Sequence, residues 1–209
     1  MNVSKQGIFH DPIGHTYHTI LNQRLESNTD ILEALGMCDY SGLPEHVRWV
    51  ALAKGTEVHK ATALLDLKKN WRRKFSQWEG YVSAWMLFKK EFDFKPELIE
   101  EPLHDPVLMI ATTPDRWGDS NRGKITVEIK TGKVQPFTGI QLAYQERCIA
   151  ISQGLQPNGT STPDRWAVEL RPDGVYKVSQ FTNANDVKVF ISAVTVYRWL
   201  KNNGKLRKL

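Results

Sequence analysis

Three charged side chains in the segment 112–132 have the types and the spacing to do chemistry. Glu128 and Lys130 are two residues apart in a predicted strand, so their side chains lie on the same face. Asp115 precedes the turn-forming residues of 118–123, which predict a hairpin that returns Asp115 to the side of this pair. Two carboxylates and an ammonium group would then meet in one small volume.

Such a cluster indicates a metal site. Carboxylates that lie close together raise each other's pKa unless a cation compensates their charge, and hard divalent cations prefer oxygen ligands. A bound Mg²⁺ or Mn²⁺ would polarise a phosphate oxygen and acidify a water, while Lys130 would orient that water or stabilise developing charge. These residues predict phosphodiester hydrolysis. A Glu-x-Lys triplet on a strand is also typical of a solvated face, so the rest of the chain must supply the context.

A histidine upstream is a candidate metal ligand. The sequence predicts a helix over 43–55 that ends at Gly55, and a second helix that Thr56 caps. His59 then falls in the first turn of the second helix, where the positive end of the helix disfavours a protonated imidazole and leaves a lone pair for a metal. A lone helical histidine is more often structural. Glu100 or Glu101 could add a ligand for a second metal, although an exposed strand edge also explains these residues.

The remaining predicted elements alternate between strands and helices. They are, in chain order, a helix over 67–92, strands over 96–103 and 107–112, the strand that carries Glu128, a helix over 139–152, a β-hairpin over 166–181 and a helix from Asp186 to about 200. This order predicts an α/β fold with a mixed central β-sheet flanked by helices, formed by one domain over 1–209. The C-terminal hairpin and helix, 165–200, would extend that sheet.

The predicted helix over 67–92 combines an apolar stripe with a basic cluster. The stripe consists of Trp71, Phe75, Trp78, Val82, Trp85 and Phe88. This spacing of three and four is typical of the packed side of a helix, although such aromatic residues could also stack on bases. The basic cluster consists of Lys68, Lys69, Arg72, Arg73 and Lys74. These cations could lie along a DNA path.

Composition limits the class of protein. The net charge of +5 and the pI near 9.1 permit nucleic-acid binding without requiring it. Neither a membrane span nor a signal peptide is apparent, so we expect a cytoplasmic protein with no membrane partner. Cys38 and Cys148 fit a reducing compartment, and two cysteines cannot form a four-cysteine iron–sulfur cluster or zinc ribbon. His10, His15 and His18 fit no standard metal site.

Four short motifs resemble those of a known family. The letters PD at 114–115 and EIK at 128–130 resemble the signature of the PD-(D/E)xK nuclease superfamily. The letters GTEVH at 55–59 and QLAY at 141–144 resemble the additional motifs of its RecB-like exonuclease branch, as found in phages and prophages. The motifs occur in the order of that family, and the resemblance covers roughly 28–200.

The resemblance implies a restriction-endonuclease-like core and a metal-dependent deoxyribonuclease, used as an exonuclease in phage recombination, repair or replication. By resemblance, the ligands of Mg²⁺ or Mn²⁺ are His59, Asp115, Glu128 and the carbonyl group of Ile129. The catalytic residues implied are Asp115, Glu128 and Lys130. The residues implied to lie beside the DNA are Gln141 and Tyr144. Besides DNA, a single-strand annealing or helicase partner is implied, and the location would be the host cytoplasm for a phage-encoded enzyme.

Two alternatives remain from the sequence. A structure-specific endonuclease of the junction-resolvase type would use the same metal site, whereas a catalytically silent DNA-binding module would have no need to retain it. The letters PDRW also occur a second time, at 163–166, where no lysine stands two residues after Glu169 and no Gln-x-x-Tyr helix follows. We therefore expect a structural role for the second copy.

Overall fold

A computed structural model describes residues 2–4, 6–11, 16–38, 42, 44–155 and 164–206. Within these residues, helices combine with two mixed β-sheets. This arrangement confirms the predicted α/β class. It also corrects the expectation of one central sheet, because the N-terminal strands build a second one.

The elements have the following bounds. The strands are β1 (Asn2–Val3), β2 (Ile8–Asp11), β3 (Thr16–Thr19), β4 (Arg24–Ser27), β5 (Lys95–Ile99), β6 (Leu103–Asp105), β7 (Ile110–Thr112), β8 (Arg116–Ser120), β9 (Gly123–Lys130), β10 (Asp164–Leu170) and β11 (Tyr176–Phe181). The helices are α1 (Asn28–Ala34), α2 (Glu45–Asp66), α3 (Arg72–Phe75), α4 (Glu79–Glu91), α5 (Phe137–Ser152) and α6 (Asp186–Asn202), and a 3₁₀ helix spans Ser76–Trp78.

The five-stranded sheet has the order β11-β10-β9-β8-β5. Strand β9 is antiparallel to β8 and parallel to β10, and α5 forms the crossover between β9 and β10. Alternate residues of β9, Ile125, Val127 and Ile129, pack against Trp85 and Phe88 of α4. Strand β11 pairs with β10, so the C-terminal hairpin extends this sheet as predicted.

The six-stranded sheet has the order β1-β2-β3-β4-β7-β6. It joins the N-terminal antiparallel strands to β6 and β7 through the parallel pair β4 and β7. The strand predicted over 107–112 is therefore shorter and lies in a different sheet. Residues 106–109 form a turn instead, because the Asp105 carboxylate accepts hydrogen bonds from the backbone N–H groups of Val107 and Leu108, at 2.8 and 3.0 Å.

The helix predictions around Gly55 and over 67–92 need correction. Helix α2 continues through Gly55, because one glycine costs only about 1 kcal/mol among the good helix formers that surround it. The helix predicted over 67–92 is divided into α3, the 3₁₀ helix and α4, and it starts only at Arg72, since Lys68 adopts a left-handed φ of 55°. The apolar stripe is nevertheless the packed side, as favoured, since Trp71, Val82, Trp85 and Phe88 are buried.

Several composition-based expectations can be compared with the structure. Cys38 and Cys148 are free and buried. No helix among the described residues is both long enough and apolar enough to cross a membrane. His10 stacks on Tyr17 with ring centroids 4.6 Å apart, and His15 lies outside the described residues.

Candidate metal centre

The β8–β9 hairpin places Asp115 beside the end of β9. Arg116 pairs with Val127 in the antiparallel register, so the residue before β8 lies near the residues after Val127. The Asp115 carboxylate accepts a hydrogen bond from the backbone N–H of Ile129, with an N–O distance of 2.6 Å. The hairpin predicted from the turn formers is therefore confirmed.

Helix α2 brings His59 to the same point. The Nδ1 atom of His59 lies 3.2 Å from the Asp115 carboxylate and 3.3 Å from the Glu100 carboxylate, and its Nε2 atom lies 3.0 Å from the carbonyl oxygen of Ile129. His59, Glu100 and Asp115 each offer a ligand atom within 4.8 Å of the others. The structure thus unites His59, Asp115 and Ile129, and it adds Glu100 from the end of β5.

The Glu128 side chain lies on the face of β9 opposite to that of Ile129, and its carboxylate contacts α5. It accepts hydrogen bonds from Lys130 at 2.8 Å, Gln141 at 2.8 Å and Gln145 at 2.9 Å. Glu128 and Lys130 share a face as predicted. Sequence reasoning missed Gln145, although its position four residues after Gln141 on one helical face is a usable signal.

Tyr144 does not lie at the surface of this site. Its side chain is fully buried, its ring packs on Phe190 with centroids 4.1 Å apart, and its hydroxyl donates a hydrogen bond to the carbonyl oxygen of Ile110 at 2.7 Å. This position does not fit the expected contact with DNA. Tyr144 instead ties α5 to β7 and α6.

A buried arginine, Arg116, forms hydrogen bonds with two residues of the centre, Glu100 and Asp115. Arg116 is 0% exposed, and its guanidinium donates hydrogen bonds to Asp66 at 2.7 Å, Glu100 at 2.9 Å, the Asp115 carbonyl at 2.6 Å and Thr62 at 3.1 Å. Glu100, which it holds, has a left-handed φ of 49°. Non-glycine residues in that region often mark functional sites. The sequence signal for Arg116 was only its place directly after Asp115.

The protonation of His59 differs from the sequence expectation. His59 lies in the middle of α2, so the positive end of a helix does not act on it. Burial opposes its charge, but the Asp115 and Glu100 carboxylates outweigh this effect and raise the pKa of His59 well above its usual value. Both ring nitrogens face acceptors, which fits an imidazolium that donates from each.

The pKa values of the two carboxyl groups around His59 are shifted in opposite directions. Burial and the charge of Glu128 raise the pKa of Asp115 to about 6, although His59 opposes the shift. Burial would also raise the pKa of Glu100, but His59 and Arg116 reverse this effect and lower it. The two environments differ because, of these two carboxylates, only that of Glu100 accepts a hydrogen bond from the Arg116 guanidinium. This concentration of negative charge around one imidazolium is typical of a site that can take a cation.

The donor set suits a hard divalent cation. Carboxylate oxygens, a backbone carbonyl and an imidazole nitrogen are ligands that Mg²⁺ and Mn²⁺ accept in proteins. Asp115, Glu100 and the Ile129 carbonyl supply oxygens around His59. Glu128 adds charge close enough to raise the pKa of Asp115. An ion here would replace the proton that His59 carries.

The second PDRW copy lies elsewhere and has structural partners. Arg165 is buried and donates hydrogen bonds to Asp186 at 2.9 Å and to the carbonyl groups of Gly139 and Asn183 at 2.9 and 2.8 Å. Trp166 is fully buried. These contacts fit the structural role that the sequence predicts for this copy, whose Pro163 lies outside the described residues.

Comparison with models of known protein families and with curated proteins finds no match for this chain. The resemblance to the PD-(D/E)xK superfamily therefore rests on short motifs, and membership stays a prediction.

Proposed function

We propose that the protein is a metal-dependent deoxyribonuclease that hydrolyses phosphodiester bonds, acting as an exonuclease. The observation that carries this proposal is the convergence of His59, Asp115 and the Ile129 carbonyl at the end of β9, next to Glu128 and Lys130. Carboxylates, a carbonyl and an imidazole for the metal, with a lysine beside them, are the groups that metal-assisted hydrolysis needs.

The fold supports the same proposal. The resemblance implies a mixed sheet flanked by helices, in which the strands that carry the PD and ExK motifs are followed by a helix and further strands. Strands β8 and β9, helix α5 and strand β10 follow that order. We therefore propose a restriction-endonuclease-like core as the finer description of the five-stranded sheet and its helices.

Each side chain has a distinct role in the proposed reaction. His59, Glu100, Asp115 and the Ile129 carbonyl would hold Mg²⁺ or Mn²⁺. Glu128, whose charge raises the pKa of Asp115, would complete the ligand set. When bound, the ion supplies charge stabilisation at the scissile phosphate and a more acidic water. All remaining steps depend on how the chain orients the nucleophile and the phosphate.

Lys130 is placed to orient the attacking water. Its ammonium group donates a 2.8 Å hydrogen bond to Glu128 and lies 3.5 Å from the Gln141 side-chain oxygen, while 26% of its side chain remains exposed. Because this ammonium group is partly exposed, water or a phosphate oxygen can reach it from the open side. Gln141 fixes this position, because it bonds Glu128 with its amide nitrogen at 2.8 Å.

The proposal is tested by digestion in Mg²⁺ or Mn²⁺ of end-labelled linear duplex, single strands and covalently closed circles. We expect loss of linear DNA, and we expect Lys130→Ala to reduce the rate by about 100-fold or more while metal binding is retained. Asp115→Ala should lose both cutting and metal binding. The matched controls are Lys133→Ala, an exposed lysine three residues away, and Asp164→Ala in the second PDRW copy.

The outcomes separate the candidate functions. If closed circles are nicked or linearised, the proposed function changes from an exonuclease to a structure-specific endonuclease. Cutting that survives Lys130→Ala, or that is lost in Asp164→Ala, would contradict the assignment of the site. If no substrate is cut, a DNA-binding module becomes the better account.

A further inference from the structure

A basic segment, defined here as Lys68, Lys69, Arg72, Arg73 and Lys74, follows the C-terminal end of α2. All five side chains are exposed, while the apolar residues between them face inward: Trp71 is buried and Phe75 packs on Ala61 and Val82. The segment therefore presents its charges to solvent and its apolar residues to the core. Residues 67–78 contain no acidic side chain.

Few of these charges are compensated by the protein. Arg72 pairs with Glu79 at 3.2 Å, and both side chains are more than half exposed. In the described part of the chain, the other four cations form no ion pair. Exposed pairs such as Arg72 with Glu79 contribute little and exchange readily with other anions. The segment is thus a concentrated positive surface that, among the described residues, has one exposed ion pair.

Helix dipoles explain only part of this arrangement. Lys68 and Lys69 follow the C-terminal end of α2, where positive charge is favourable. The other three cations occupy α3, whose four residues form a single turn, so a helix dipole does not favour them there. Lys68 also has a left-handed φ of 55°, a conformation that favours glycine. Local structure therefore does not account for five cations here.

The segment is held at a fixed place relative to the metal centre. Asp66, two residues before Lys68, bonds Arg116 at 2.7 Å, and Arg116 in turn bonds Glu100 at 2.9 Å. Along α2, His59 and the last residue, Asp66, are separated by about 10 Å at 1.5 Å per residue. This axial distance corresponds to about three nucleotide steps of duplex DNA, and Lys68 follows two residues later.

From this geometry we propose that the basic segment binds the phosphate backbone of the DNA substrate, a few nucleotide steps from the bond that is cut. The inference rests on the proposed function for the identity of the nucleic acid. Charge complementarity identifies the occupant, since regularly spaced phosphates match a group of exposed cations of which only Arg72 forms an ion pair in the described part of the chain. The segment would increase affinity for long DNA without taking part in hydrolysis.

The test compares two fourfold variants of equal charge. One is Lys68→Gln, Lys69→Gln, Arg73→Gln and Lys74→Gln; the control is Lys90→Gln, Lys177→Gln, Lys188→Gln and Lys205→Gln, which removes four exposed cations elsewhere. Both are combined with Lys130→Ala, and binding of a labelled 30-base-pair duplex is followed by fluorescence anisotropy in Mg²⁺ at several salt concentrations. We expect the segment variant to bind about 10- to 100-fold more weakly, with a salt slope smaller by about 3 to 4.

Equal binding by the segment variant and the unmodified protein, or an equal loss in the control, would overturn the inference. Loss of binding to anionic lipid vesicles with DNA affinity unchanged would assign the segment to a membrane surface and also overturn it. A second readout, with the catalytic lysine present, is hydrolysis of thymidine 5′-p-nitrophenyl phosphate, which is too small to reach the segment. Its rate should not change in the segment variant.

These results separate the inference from the proposed function. Segment-dependent DNA binding without any cutting would retain the inference and reject the nuclease. Cutting that depends on Lys130, with unchanged DNA binding in the segment variant, would retain the nuclease and reject the inference.

Discussion

At the scale of single residues, the candidate site depends on carboxylates in unlike environments. Glu128 accepts three hydrogen bonds from side chains, and Glu100 receives the Arg116 guanidinium. Asp115 receives the Ile129 N–H and His59, but burial and Glu128 still raise its pKa to about 6. Asp115 is therefore the carboxylate that gains most from a bound cation.

The raised pKa of His59 predicts that metal binding releases a proton. The raised pKa favours the protonated imidazole near neutral pH, whereas a histidine that ligates a metal must be neutral. Apparent affinity for Mn²⁺ should therefore rise as the pH rises, and level off above the pKa of His59. Isothermal titration calorimetry in buffers of different ionisation enthalpy should show release of about one proton per ion.

The control for this prediction is His59→Ala, which should bind Mn²⁺ more weakly and release less than half as many protons. Proton release that is unchanged in this variant would show that His59 is not a ligand. Affinity that does not vary between pH 6 and pH 8 would contradict the predicted protonation of the imidazole.

At the scale of elements, Asp66 and Arg116 join α2 to β8. Asp66 receives hydrogen bonds from Arg116 at 2.7 Å, Lys89 at 2.5 Å and the Trp85 indole at 3.0 Å, and the Asp66 and Arg116 side chains are both 0% exposed. Since His59 is on α2 and Asp115 precedes β8, this junction sets the distance between two proposed ligands.

Asp66→Asn should therefore destabilise the protein strongly. The substitution preserves shape but removes the countercharge of a buried guanidinium, which costs about 3 kcal/mol in the free energy of unfolding. Urea denaturation followed by tryptophan fluorescence measures this change. Glu79→Gln, which removes the exposed partner of Arg72, is the matched control and should leave the midpoint nearly unchanged. Equal changes in the free energy of unfolding for both substitutions would show that the Asp66–Arg116 pair does not stabilise the protein as proposed.

At the scale of the whole molecule, the packing of α5 on the five-stranded sheet carries a pH dependence. Glu146 of α5 lies 3.4 Å from Arg165 of β10, and one of its carboxylate oxygens is buried without a hydrogen-bond partner. Burial raises the pKa of Glu146 to about 8, although Arg165 opposes the shift. The folded state thus prefers the neutral carboxyl group.

Stability should consequently decrease as the pH rises from about 4.5, where the carboxyl group of the unfolded chain ionises, to about 8. Glu146→Gln remains neutral, so it should lose less stability over this range, by about 1 to 3 kcal/mol. The measurement is the free energy of unfolding of both proteins at pH 5 and pH 8.5. An equal change in both would contradict the proposed burial of a neutral Glu146.

The sequence by itself determined the parts of the site that depend on local pattern. Turn formers and alternation predicted the β8–β9 hairpin, and the period of two put Glu128 and Lys130 on one face. The helix after Lys130 was also predicted, with Gln141 on the side that faces Glu128 in the structure. These features follow from backbone geometry over a few residues, so a single sequence contains them.

Only the tertiary structure decided which distant residues meet. Glu100, Arg116 and Asp66 come together across β5, β8 and α2, and no local period relates them. The same holds for the second sheet, where β4 pairs with β7 across more than 80 residues, and for the burial of Tyr144 against Phe190. Long-range register and the pairing of buried charges select these contacts, because most buried polar groups are paired and the partners of these lie far away in the sequence.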